Sequence, residues 1–187
     1  MEKNEQKVRE NIRGQIQDEY GKLAYTYTCH NKDAQILSNR MKILKISKLV
    51  LSGISTAGFI RAVFPNGTII AIISAIISAA LFVITTLINE EQMAGNITSH
   101  KKISNQLWLL REHYISLLSE FDCLEIQVIQ SRRDQLLIQT NEIYKIAPQT
   151  SSAAYKKAQK ALKEDEEQFF EDWEIDRMLP KQLRKDN

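Results

Sequence analysis

Thr68 to Ile88 reads TIIAIISAIISAALFVITTLI, and these 21 residues contain no charge. As a helix rising ~1.5 Å per residue the stretch spans roughly 30 Å, the thickness of the hydrocarbon core of a bilayer. A soluble core in a chain of 187 residues rarely needs so long an uncharged helix, so the segment is read as a transmembrane span. Just before it, Phe64-Pro65-Asn66-Gly67-Thr68 combines a helix breaker with a tight-turn pair. Before that turn, Leu49 to Phe64 is a second apolar run, flanked by Lys48 and containing Arg61. Both cations can extend toward opposite interfaces while their stems cover apolar depth. Residues 49–88 therefore form a two-helix transmembrane hairpin, with spans at about 49–64 and 68–88.

Average properties conceal this hairpin. The mean hydropathy is −0.31 and apolar residues make up 43% of the chain, but the apolar residues crowd between Leu49 and Ile88 and the charges fill both ends. Only six Gly and three Pro occur, which favours an all-α fold. A net charge of +2 is too small to argue for nucleic acid as a partner. Cys29 and Cys123 match no zinc or redox spacing, and their distances from the turn differ by 20 residues, so no disulfide between them is expected. The polar first 42 residues do not read as a signal peptide.

Lys42, Lys45, Lys48, Lys101 and Lys102 flank the hairpin on its open side, while the turn side offers only Arg61. The positive-inside rule then places both termini in the cytoplasm, with Lys45 and Lys48 as interface anchors. Two Asn-x-Thr matches, at Asn66 and Asn96, are read as chance.

The flanking arms carry a stripe that steps by three and four. It runs through Val8, Ile12, Ile16, Tyr20, Leu23, Tyr27, His30, Ala34, Leu37, Met41 and Leu44, then through Ile103, Leu107, Leu110, Tyr114, Leu117, Phe121, Leu124 and Val128. This is coiled-coil-like spacing, and each arm is expected to continue out of its span, with Gly21 and Gly95 as local weak points. His30 lies 36 residues before Asn66 and His100 34 after it; Tyr20 and His113 match likewise. The arms should pair antiparallel with these residues level, and the second arm should reach about Ser131 before its stripe breaks. The expected organisation is an N-terminal cytosolic helix (1–48), the hairpin (49–88), a second arm (89–147), and a C-terminal helix and tail (148–187). Ser151 or Ser152 caps that last helix, which is expected to run to about Met178.

No catalytic constellation is present, so an enzyme is not expected. The acidic run Glu164 to Glu167 reads as a solvated helix face. His30 and His100 read as seam residues, and neither a metal nor a cofactor is expected. The spans are rich in small and hydroxyl residues. Ser52, Ser55, Thr56, Arg61, Ala71, Ser74, Ala75, Ser78, Ala79 and Thr85 are candidates for helix packing or for lining a pore. Ala71, Ala75 and Ala79 form a ladder that permits close approach, Ser74, Ser78 and Thr85 share a stripe, and Arg61 would form a cationic ring in an oligomer.

The order of parts resembles the SLATT family, the SMODS- and SLOG-associating two-transmembrane effectors of bacterial conflict systems. The resemblance rests on Tyr20 to His30, the two short-looped spans, Leu107-Trp108-Leu109-Leu110-Arg111-Glu112-His113-Tyr114, and Tyr144 to Thr150 with Tyr155 and Ala158. It implies a pore-forming anti-phage effector of the bacterial inner membrane that oligomerises and kills the infected cell. It also implies coupling to a nucleotide-second-messenger synthase or another sensor encoded nearby. The expected partners are thus the lipid bilayer, further copies of the chain and that sensor. Unlike fused relatives, this sequence shows no nucleotide-binding α/β domain, so its trigger is expected at its own arms or through a partner. The alternative is a membrane scaffold whose arms serve only assembly; a holin or a uniporter-like channel fits less well.

Overall fold

The computed structural model describes residues 2–62, 68–87 and 89–184. All the regular structure among them is helical. α1 (Glu2–Ala62) is one unbroken helix of 61 residues, about 90 Å at ~1.5 Å per residue. α2 (Thr68–Leu87) and α3 (Glu90–Glu120) return beside it. α4 (Ile126–Ile146), α5 (Ser152–Lys163) and α6 (Asp172–Met178) complete the chain. The turn at Phe64-Pro65-Asn66-Gly67 lies outside the described residues, as does Ile88, and the side chain of Arg61 is likewise outside them.

Pairs along the two limbs rise on one as they descend on the other. Lys48 meets Glu90, His30 meets His100, Tyr20 accepts a hydrogen bond from Arg111, and Arg13 meets Asp122. Antiparallel pairing at the expected register is therefore observed, with Tyr20 two residues from the level of His113. The predicted stripe explains it. Ile12, Ile16 and Leu23 of α1 are buried against Ile103, Leu107, Leu110, Tyr114 and Leu117 of α3 in a continuous apolar core. Cys29 is a buried free thiol and Cys123 an exposed one, as the spacing required.

Three expectations are corrected. The second arm does not extend α2 without interruption. Asn89 has an extended backbone, and its side chain accepts from the Gln92 amide to cap α3. The break lies at this cap, while Gly21 and Gly95 remain inside helices. The second arm also ends early. At Phe121–Cys123 it tightens into a 3₁₀ turn, and Leu124 and Glu125 are extended. Beyond Ile12, α1 offers little apolar surface, so α4 folds back instead of continuing the pairing. It buries Ile129 and Leu136 in the same core, and Arg133 reaches Gln15 while Tyr144 reaches Thr26. Arg9 donates to the Leu124 carbonyl and helps hold this bend. Finally, the C-terminal helix is two helices. α5 stops at Lys163, Glu166 takes φ 49°, and α6 starts only at Asp172. Four successive carboxylates disfavour a continued helix through mutual repulsion, and Glu167 is instead drawn to Lys32.

Neighbouring leucines on α3 give a direct test of the core. Leu107 is fully buried, whereas Leu109 is 54% exposed. Leu107→Ala should destabilise the folded arms by about 2–4 kcal/mol, and Leu109→Ala by less than about 1 kcal/mol. Denaturant unfolding of the purified protein reads both; equal losses would place the seam on the wrong face of α3.

Candidate functional site

Two regions carry polar groups where burial makes them consequential: the apolar hairpin and the stretch of α1 just before it.

In the hairpin, α2 contains the one segment among the described residues, Thr68–Thr86, long and apolar enough to cross a membrane. It is not a soluble core helix, because its apolar side chains face outward. Ile69, Ile72, Ile76 and Phe82 are each more than half exposed. The end of α1 lies antiparallel to it, with Leu49, Val50 and Ile54 also exposed. The two helices touch through their smallest groups. A Cβ added to Gly58 would lie 1.8 Å from the Ser74 hydroxyl and 3.0 Å from its Cβ, so only glycine permits this approach. Ser74 is buried and donates to the Ile70 carbonyl, and the Ser55 and Ser78 hydroxyls meet across the pair.

The predicted residues therefore divide between two faces. Ser55, Ser74 and Ser78 lie between the helices, and Ala71 is half-buried. Ser52, Thr56, Ala75, Ala79 and Thr85 face outward. Thr56 donates to the Ser52 carbonyl and Thr85 to that of Phe82, which satisfies their hydroxyls locally. Arg61 belongs to α1 by its backbone. At the other end Lys48 forms a 2.6 Å ion pair with Glu90, while Lys45 is exposed. Hydrogen bonding to Lys48 holds the Glu90 carboxylate below its ordinary range.

The second region was not legible in the sequence. Asp33 of α1 is buried, and its carboxylate accepts from both the amide (2.8 Å) and the hydroxyl (2.6 Å) of Ser151. The Ser151 hydroxyl in turn accepts from the Ala154 amide and caps α5. Asp33 thus places a negative charge at the positive end of a helix. Ala154, Ala158 and Ala161 form a fully buried face that lets α5 lie close on α1, and the Tyr25 and Tyr155 rings pack 5.4 Å apart. The strap after α5 returns to α1 as well: Glu167 pairs with Lys32 at 2.7 Å, and the Gln168 amide donates to the Thr28 hydroxyl at 2.8 Å. Ser151 as a helix cap was readable from its position before an alanine-rich run. Its acceptor 118 residues away was not, and neither were the ties at Lys32 and Thr28.

Between these ties lies the histidine pair. The Nδ1 atoms of His30 and His100 are 2.9 Å apart and both rings are buried. One nitrogen donates and the other accepts, so at most one of the two facing nitrogens carries a proton. Burial first, and His100 second, push the His30 pKa down to about 4, with Asp33 opposing them. Cys29, next in sequence, is held as a thiol because burial pushes its pKa up to about 11. Among the described residues no group of three or more His, Cys, Asp or Glu is placed to hold a metal.

The described residues form an all-helical chain whose apolar α2 packs against the end of α1, on long paired arms. A family model described as SMODS and SLOG-associating 2TM effector domain family 4 matches residues 12–174. The chain belongs to this SLATT family of two-transmembrane effectors of conflict systems. No curated protein and no solved structure matches it significantly.

His30 sets a pH dependence of stability. The His30 pKa is depressed on folding, so below its ordinary value near 6.5 the unfolded chain binds more protons than the folded one. Stability should therefore fall as the pH drops below about 6.5 and go on falling to about 4. Between pH 7 and pH 5 the loss should be on the order of 2 kcal/mol. His30→Gln should flatten that segment of the stability–pH curve; an unchanged slope would show that His30 does not carry it.

Proposed function

We propose that this chain is a pore-forming effector of bacterial anti-phage defence. It assembles from several copies in the inner membrane, with both termini in the cytoplasm, and disrupts that membrane without catalysis. A nucleotide synthase or other sensor encoded nearby would supply the trigger, in keeping with the family's association with SMODS and SLOG systems.

The observation that carries the reading is the outward face of α2. Its own chain leaves Ala75, Ala79 and the surrounding isoleucines uncovered. In lipid there is no hydrophobic drive between helices, and small residues allow the close van der Waals contact that holds them together. A further copy is a fitting partner for such a face. The outward hydroxyls Ser52, Thr85 and Thr86 lie toward the end of the hairpin next to Lys48–Glu90, where assembly would gather them at the mouth nearest the arms, and Thr56 stands near mid-height, beside the level of Ser55 and Ser78.

A second reading has its own support. Ser55 and Ser78 meet within one chain and Ser74 is buried against Gly58, leaving fewer hydroxyls to line a passage, and this favours a scaffold that assembles without conducting.

The structure separates the variants needed to decide. Ala75 and Ala79 are exposed, so replacing both with Leu leaves the hairpin's own contact intact, whereas Gly58→Leu breaks it at Ser74. Expression of the parent with its triggering partner should depolarise cells. The Ala75→Leu/Ala79→Leu double variant should insert normally yet lose toxicity at least tenfold. Equal toxicity of parent and double variant, or an intact membrane potential in the triggered parent, would leave the scaffold reading in its place.

A further inference from the structure

An opening in the arms lies on α1 between Tyr27 and Asn39, walled by α3 at Lys101 and by the strap at Glu167 and Gln168. Its volume is about 460 Å³, within the range of small-molecule sites. Its chemistry is unlike the seam beside it. Only Ala34 and the Tyr27 ring are apolar; amides and hydroxyls, including Gln35, Asn39 and Gln168, form the rest.

The charges are uneven. Lys32 and Lys101 both line the opening, and among the described residues Glu167 is its only acid. Lys32 is largely buried and is neutralised by Glu167 at 2.7 Å, while Lys101 has no ion pair among the described residues. The site thus holds one cation in excess, next to a carboxylate belonging to a segment that can be exchanged for another anion.

We propose that this opening binds a small soluble anion of two or more negative charges, carried by phosphate or carboxylate groups, that pairs with Lys101 and takes Lys32 from Glu167. The exchange at Lys32 replaces one carboxylate contact by another anionic contact and is close to neutral. The contact with Lys101 is new and supplies the net affinity, and the amides can hydrogen-bond the remainder of the molecule. A monovalent anion cannot serve both cations and gains little. Lipid headgroups are the wrong source. Asn39 is ten residues before Leu49, about 15 Å along the helix, whereas headgroups extend only about 6 Å beyond the hydrocarbon core.

Binding has a structural consequence. Losing Lys32 frees Glu167 and weakens the neighbouring Gln168–Thr28 bond, so the strap is then held to α1 through α5, by Asp33–Ser151, the alanine face and the Tyr25–Tyr155 contact. The ligand and the strap compete for one lysine, and a ligand shifts such an equilibrium by its differential affinity for the two states. The inference stands apart from the pore reading, because binding is measured without any membrane current.

The test uses the full chain in neutral maltoside micelles, with inorganic pyrophosphate and citrate as probes in calorimetric titrations at fixed ionic strength. Saturable binding near one per chain is expected. Lys101→Ala should weaken it at least tenfold, and Glu167→Gln should strengthen it several-fold because the internal competitor is gone. Protease cleavage between residues 164 and 171 should accelerate on adding pyrophosphate, and Glu167→Gln alone should accelerate it in part. Lys101 is exposed, so its variant should retain the parent's melting temperature. No saturable binding by either probe, binding unaffected by Lys101→Ala, or no gain from Glu167→Gln would each overturn the proposal.

Discussion

Everything in this molecule is referred to one unbroken helix. α1 carries the apolar stripe that seats α3, the glycine that admits α2, and the aspartate that holds Ser151, the cap of α5. A helix interior transmits rotation and translation because each residue is hydrogen-bonded to the next turn. The returning limb lacks that continuity. It is broken at Asn89, where a side-chain cap replaces helix, and Lys48–Glu90 ties the two limbs together just beyond the break. A change imposed on α1 at the strap therefore has a rigid route to Gly58 and Ser74, while α2 and α3 retain a joint about which they can adjust.

The character of the seam changes along this rod. Farthest from the hairpin it is apolar, from Ile12 and Phe121 to Leu23 and Leu107. Approaching the hairpin it becomes polar, with Thr28, His30, Asp33, His100 and Ser104 all buried. Apolar packing supplies stability but tolerates sliding; buried polar pairs penalise a slip because an unpartnered donor or acceptor in low dielectric is costly. The histidine pair thus helps to fix the register between the two limbs. Burial here pushes the His30 pKa down, and the C-terminal segment is fastened in the same zone through Asp33, Lys32 and Thr28.

Much of this was readable in the residues. The stripe from Ile12 to Leu44 and its counterpart from Ile103 to Phe121 specify two paired helices, and equal distances from Asn66 bring His30 to His100. The failures share one cause: periodicity reports which face is buried, not which neighbour buries it. Val128 fits the stripe but is 38% exposed, while Ile129 is fully buried because α4 has turned back. Ala75 and Ala79 fit a packing ladder, yet the contact within the chain uses Gly58 and Ser74, one residue around the α2 helix. The acidic run looked like one solvated face until Lys32 claimed one of its members. Links such as Asp33 to Ser151 have no local signature, since either residue alone is an ordinary helix or cap residue.

The central claim is that α1 runs through the bilayer and returns as α2, leaving the arms on one side. It is tested most directly by thiol accessibility in spheroplasts, with Cys29 replaced by Ser. A membrane-impermeant maleimide should label Asn66→Cys in intact spheroplasts, and should label the exposed Cys123 only after permeabilisation. Labelling of both positions from the same side would contradict a two-span hairpin and leave α2 as a helix that crosses alone or not at all.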